Sequence, residues 1–185
     1  MFIARPEILL HPNIPKPMHG MAPRVLFGQA WWDVVRKQAY ASTGYRCAAC
    51  GIPKSEAKYH HWLEGHELYE IDYPKGRMKL MEIVPLCHSC HNYIHSGRMQ
   101  ALVDKGEMKF QKMKDILCHG DAILKAAKLS HPKPPKKIAR WEDWRFELED
   151  GELFEPIFPT RKAWMNHFHP GWDDGVELDE FEQEF

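Results

Sequence analysis

No stretch of this chain strings together the roughly 18 apolar residues that a membrane-spanning helix needs, so no membrane partner is expected. The opening segment, MFIARPEILLHPNIPKP, lacks the long apolar stretch of a secretory signal, and its prolines interrupt anything helical. The expectation is a cytoplasmic protein, in which thiols stay reduced and cysteines do not form a disulfide framework. No internal repeat is visible. Residues 171–185 contain no Lys or Arg, but they hold Asp173, Asp174, Glu177, Asp179, Glu180, Glu182 and Glu184. That segment carries −7 against −1 for the whole chain, which leaves residues 1–170 at about +6. A mildly basic body ahead of an acidic tail favours a phosphate-rich partner.

What the chain does have is enough apolar mass to fold. A hydrophobic share of 44% and seven tryptophans exclude a disordered chain, and 185 residues fit one principal domain with appendages. Residues 1–28 are punctuated by proline and glycine and read as an extended arm on the surface. In 29–41, Trp31, Val34, Val35 and Ala39 recur at helical spacing, and Gly44 stands where a helix C-cap belongs. Residues 62–73 and 77–86, rich in Leu, Tyr, Ile and Val, flank Pro74-Lys75-Gly76 and predict a β-hairpin. A helix is expected from the second cysteine pair to about Val103, and another over 107–118. Gly120 is read as the stop of that second helix and Asp121 as the cap of a short one ending near Leu129. Residues 29–130 therefore form the main domain, and 131–137 (HPKPPKK) a stiff linker. In 138–170, Asp150-Gly151 signals a second hairpin, and Thr160 is placed to cap a last helix to about Phe168.

Four of the five cysteines fall in two matched pairs, Cys47-Ala-Ala-Cys50 and Cys87-His-Ser-Cys90. A C-x-x-C turn puts two sulfurs on one side of an ion, and two such turns complete a tetrahedral zinc site with no open position. That is a structural zinc rather than a catalytic one. A redox dithiol would need only one pair, and buried cysteines do not arrive as two matched pairs. Cys118 stands alone on an expected helix and reads as core.

The cysteine pairs bracket the hairpin and open a helix. Three stretches then carry a resemblance: Cys47-Ala-Ala-Cys50-Gly51, then residues 63–72 (LEGHELYEID), then residues 83–95 (IVPLCHSCHNYIH). Over about residues 45–100 the chain resembles the HNH endonucleases, also called ββα-metal or His-Me finger nucleases. The likeness is to the bacterial and phage branch with a C-x-x-C…C-x-x-C zinc site. It implies an α+β fold with a zinc-stapled ββα core, flanking helices, and a C-terminal β-hairpin plus short helix. It also implies metal-dependent hydrolysis of phosphodiester bonds in nucleic acid, DNA first. On this likeness His66 matches the strand histidine that acts as general base, a role that suits a neutral imidazole. His91 matches the helix ligand of a catalytic divalent metal. His95, four residues on, shares that face and can share the ion or touch phosphate. Two imidazole ligands lean towards Mn²⁺, Ni²⁺ or Zn²⁺ over Mg²⁺.

The sequence also departs from the family. Gly65 stands where an Asp or His ligand often precedes the base, and Glu82 where a loop asparagine is usual. His60-His61 offers a second register, in which His61 is the base. Glu64, Glu67 and Asp72 can supply the missing carboxylate, and on a regular strand Glu64 and Asp72 share the His66 face. The rival reading is a zinc-binding module that has lost its active site and binds nucleic acid or a protein. His88 reads as a solvent-facing or zinc-supporting residue, and Trp31, Trp32 and Trp62 as core. Oligomeric state has no signal in the sequence.

Overall fold

The apolar spacing after Gly28 becomes the long arm of helix α1 (Pro23–Ser42), and Gly28, at φ 82° and ψ 172°, breaks the helix near its start. Gly44 ends it in a left-handed conformation: the Gly44 amide bonds to Ala41 O and the Tyr45 amide to Tyr40 O, the paired bonds of a Schellman cap. The computed structural model describes residues 2–171, and across them the protein is mixed α+β. Strands β1 (Glu64–Asp72) and β2 (Arg77–Leu86) are followed by α2 (His88–Ile94), α3 (Ser96–Asp104) and α4 (Phe110–Ala126). Then come β3 (Arg145–Glu147), β4 (Leu153–Phe154) and α5 (Arg161–Phe168). The four strands form one sheet in the order β1-β2-β3-β4. No helix among the described residues is long and apolar enough to cross a membrane.

The chain divides into two units. The first gathers residues up to His11, Phe27–Leu68 and Glu82–Pro132; the second gathers Pro12–Leu26, Tyr69–Met81 and the described residues of 133–171. In the first, Ile8, Leu9, Leu63, Val84, Leu86, Met99, Met113, Ile116 and Leu124 pack around the buried Cys47, Cys87 and Cys90. In the second, Met18, Met21, Met78, Trp144 and Phe146 form a separate core. There β2 pairs with β3 in parallel, Met78 opposite Phe146, and β3 turns back antiparallel to β4. Gly151 at φ 87° makes that turn, as the Asp150-Gly151 signal led one to expect. Thr160 caps α5, its hydroxyl accepting from the Ala163 amide at 3.2 Å.

Several expectations need correcting, among them Cys118, which is exposed on α4 and not core. The N-terminal residues are not a surface arm: 3₁₀ turns at Pro6–Leu10 and Lys16–Met18 bury Ile8 and Leu9 in one core and Met18 in the other. Proline breaks a helix but starts a tight turn well, and the apolar residues between the prolines supply the burial. The helix after Cys90 is two helices, because His95 leaves helical geometry at φ −93° and ψ 41°. Gly120 does not stop α4, which runs through it; a side chain at that position would run into the ring of Tyr93. Asp121 consequently caps nothing, and its carboxylate accepts a hydrogen bond from the Tyr93 hydroxyl at 2.9 Å. Trp62 is not core but 56% exposed, whereas Trp32 is buried. The expected acidic tail, apart from Gly171, lies outside the described residues.

Candidate metal centres

Cys47 and Cys50 sit on a tight knuckle closed by the Gly51 amide bonding to Cys47 O, with Gly51 at φ 77°. The Cys47 amide bonds to Ile52 O, and the Ala48 amide to Pro85 O, which ties the knuckle to the end of β2. Cys87 is the N-cap of α2, and Cys90 lies in its first turn. The four sulfurs therefore converge, all within 4.8 Å of one another. Cys50 Sγ and Cys87 Sγ are 3.9 Å apart. A tetrahedron of about 2.3 Å Zn–S bonds puts sulfurs about 3.8 Å apart, whereas a disulfide needs about 2.05 Å. Bare thiols so placed are in conflict: S–H groups of Cys50, Cys87 and Cys90 hold the Cys47 thiol far down, while Cys90 is pushed far up by Cys47, Cys50 and Cys87. A divalent cation removes that conflict by taking all four as thiolates. The site can hold a metal ion such as zinc. His119 of α4 adds an outer contact, its Nε2 3.7 Å from Cys90 Sγ.

The second cluster is built from imidazoles in the same unit. Alternation along β1 turns Glu64 and His66 to one face and Gly65 and Glu67 to the other. His66 is buried, and α2 delivers His91 and, at its C-cap, His95 to the same place. One nitrogen from each of His66, His91 and His95 lies within 4.8 Å of the other two. Ring centroids are 5.5 Å apart for His66 and His91, 5.1 Å for His66 and His95, and 4.7 Å for His91 and His95. Imidazoles bound to one tetrahedral ion at about 2.0–2.1 Å have centroids about 5.2 Å apart, so these rings fit a shared ion. Both nitrogens of His66 are buried without a hydrogen-bond partner. An orphaned buried polar atom calls for an occupant such as an ion or water. Burial, then the nearby His11, His95 and His91, push the His66 imidazole down to about 2. Burial, then His91, His11 and Arg98, push His95 down to about 4. Both rings are therefore neutral at pH 7, the form in which imidazole ligates a metal or accepts a proton.

Glu64 joins this cluster from the side. Its Oε1 lies 2.8 Å from His88 Nδ1, and its Oε2 2.7 Å from His91 Nδ1, an ion-pair distance out of line for a hydrogen bond. Burial alone would raise its carboxyl, but the two imidazoles outweigh that and hold it far below the usual carboxylate range. The other expected carboxylates are not brought in. Glu67 faces the opposite side of β1. Asp72 closes the β1–β2 turn, bonding the Lys75 amide at 3.1 Å and its ammonium at 2.8 Å. His61, the base in the other register, is exposed on the loop before β1.

Two further residues reach the cluster without a sequence signal. His11, at the end of the first 3₁₀ turn, stands edge-on to His66 with centroids 4.8 Å apart. His88 bonds to Glu64 rather than facing solvent. The two departures from the family pattern also have physical places. A Cβ at Gly65 would lie 2.9 Å from the Trp32 ring, so a ligand there would point away from the histidines. Glu82 is held by Arg5 through two bonds of 2.8 and 3.0 Å. No protein-family model matches the chain, and neither does any curated protein or solved structure.

Proposed function

We propose that this chain is a metal-dependent endonuclease of the HNH type, hydrolysing phosphodiester bonds in nucleic acid, with DNA the principal target. The observation that carries the reading is His66, buried with both nitrogens unbonded, facing His91 and His95 beside a separate four-cysteine site. In this reading the β1-β2-α2 order is the ββα core of such a nuclease, and the four cysteines hold a zinc ion that only supports the fold. His91 and His95 hold a second divalent ion, with imidazole favouring Mn²⁺, Ni²⁺ or Zn²⁺ over Mg²⁺. When bound, that ion supplies Lewis-acid charge for the scissile phosphate and its leaving oxygen. His66, kept neutral by its surroundings, takes a proton from the attacking water as general base. Glu64 steadies His91 from behind. A cytoplasmic setting belongs to the same reading.

A second reading is a zinc-binding module without catalysis, favoured by Gly65, which offers no ligand, and by Glu82, which is engaged with Arg5. Plasmid incubated with the purified protein and a series of divalent metals separates the two. The nuclease reading expects nicking that His66→Ala abolishes and His61→Ala leaves intact. Nicking lost only with His61→Ala would move the base to the other register. Absence of nicking with every metal would leave the binding module.

A further inference from the structure

The loop leading into β1 carries an aromatic pair for which the proposed chemistry has no use. Trp62, 56% exposed, lies flat on His60, with ring centroids 4.0 Å apart and planes 9° from parallel. His60 in turn stands edge-on to His88 at 4.4 Å. His88 bonds to Glu64, and Glu64 touches His91. A short chain of contacts therefore joins an exposed, flat π-surface to the histidine cluster. Leaving an indole in water forgoes the burial that dominates folding, and pinning it against His60 fixes its orientation in advance of any ligand.

Charge gathers at Tyr59, which meets the same His88 ring as His60 does. Tyr59, edge-on to His88 at 5.4 Å, is flanked by Lys112 at 4.7 Å and Lys58 at 5.1 Å from its ring. Lys58 shares its ammonium with Asp115 at 3.2 Å and stays 63% exposed. A flat aromatic face two ring contacts from a pair of ammonium groups suits a base near its phosphate: every base offers a π-face, and lysine meets phosphate as a point charge. In a duplex those faces are covered by the neighbouring bases, so the ligand is an unpaired strand.

We infer that the His60–Trp62 stack, with Lys58 and Lys112, is a base-stacking platform that seats single-stranded nucleic acid beside the histidine cluster. This rests on the nucleic-acid reading above but not on cutting. The test is fluorescence anisotropy with the full-length, zinc-loaded protein at low salt and no added divalent metal. The probes are a labelled twelve-residue thymidine oligonucleotide and a twelve-base-pair duplex, each checked afterwards for integrity. The single strand binds more tightly than the duplex. Trp62→Ala weakens single-strand binding at least about fivefold, the low end of base–aromatic stacking, while Trp62→Phe, which keeps a flat ring, stays within about twofold. Circular dichroism of Trp62→Ala matches wild type, since the side chain is exposed. Unchanged affinity in Trp62→Ala overturns the platform, as does a wild-type protein that binds neither probe. Binding that depends on Trp62, with neither the plasmid nor the single strand cut under any divalent metal, would sink the nuclease and leave the platform standing. Nicking with Trp62-independent binding would do the reverse.

Discussion

The Glu64 carboxylate lies 2.7 Å from Nδ1 of His91, which leaves Nε2 as the nitrogen free to face His66 and His95. A carboxylate behind a metal-binding imidazole fixes its orientation and raises its basicity, and losing one typically costs 10–100-fold in metal affinity. Glu64→Ala is therefore expected to weaken Ni²⁺ or Zn²⁺ binding at the histidine cluster by about that factor, with Glu64→Gln in between. Competition against a chelating dye measures it, with any metal held by the four cysteines serving as an internal constant. Unchanged affinity in Glu64→Ala would mean that the carboxylate only holds His88.

His66 has two roles open to it, and one substitution separates them. As a base, it can be replaced without loss of the ion: His66→Ala then retains two metals per chain and loses cutting by about 10²–10⁴-fold. As a ligand, its removal strips the second metal as well. Metal content by mass spectrometry, read beside plasmid nicking, decides. Retention of one metal only would move His66 into the coordination shell.

Acid is expected to unfold this protein through its histidines before its carboxylates. His66 and His95, at about 2 and about 4, lie below the ordinary histidine value of 6.5. Above pH 6.5 both are neutral folded or unfolded and cost nothing. Below it the unfolded chain takes up protons that the folded chain refuses, so stability falls, by up to about 1.4 kcal/mol per pH unit for each ring. The His95 share ends near pH 4, while the His66 share continues towards about 2. Glu64, held low, starts to lose its own stabilising share only as pH falls through the ordinary carboxyl value of 4.5, below the pH 7 to 5 range of the measurement. Urea titrations at pH 7, 6 and 5 should show a slope that His95→Gln reduces by about one ring's share. Parallel curves for variant and wild type would refute the depressed value.

The parts of this fold that read directly from sequence are those whose geometry is local. Two C-x-x-C turns carry their own metal geometry, Pro74 to Gly76 and Asp150-Gly151 carry their own turns, and the four-residue step from His91 to His95 brings the rings together even though the helix breaks there. What does not read is which side chain arrives from elsewhere. His11 reaches His66 only because Ile8 and Leu9 bury a proline-started turn, and nothing near His11 encodes that meeting. Glu64 and His88 are 24 positions apart and meet because a strand and a helix face each other. β3 is three residues long, too short to show a period, so its parallel pairing with β2 is invisible. Trp62 reads as core from its residue type alone, but its ring lies exposed on His60, a contact that no local pattern encodes.

Gly120 tests how far one such misreading matters. In an exposed helix, Gly→Ala stabilises by about 1 kcal/mol through backbone entropy. Inside α4, however, a Cβ at Gly120 would enter the ring of Tyr93, which is buried and tethered through its hydroxyl to Asp121. The ring cannot swing away without losing that bond, and overpacking of this kind costs about 1–3 kcal/mol. The clash offsets or exceeds the propensity gain, so Gly120→Ala should lower stability by a net ~0–2 kcal/mol, towards the upper end for a ring this tightly held. Gly97, in α3 with nothing within 4 Å of its would-be Cβ, supplies the contrast. Gly97→Ala should be neutral or stabilising by up to about 1 kcal/mol. Chemical denaturation of the pair measures both signs under one condition. Should Gly120→Ala prove as benign as Gly97→Ala, the close packing of α2 on α4 through Tyr93 is wrong.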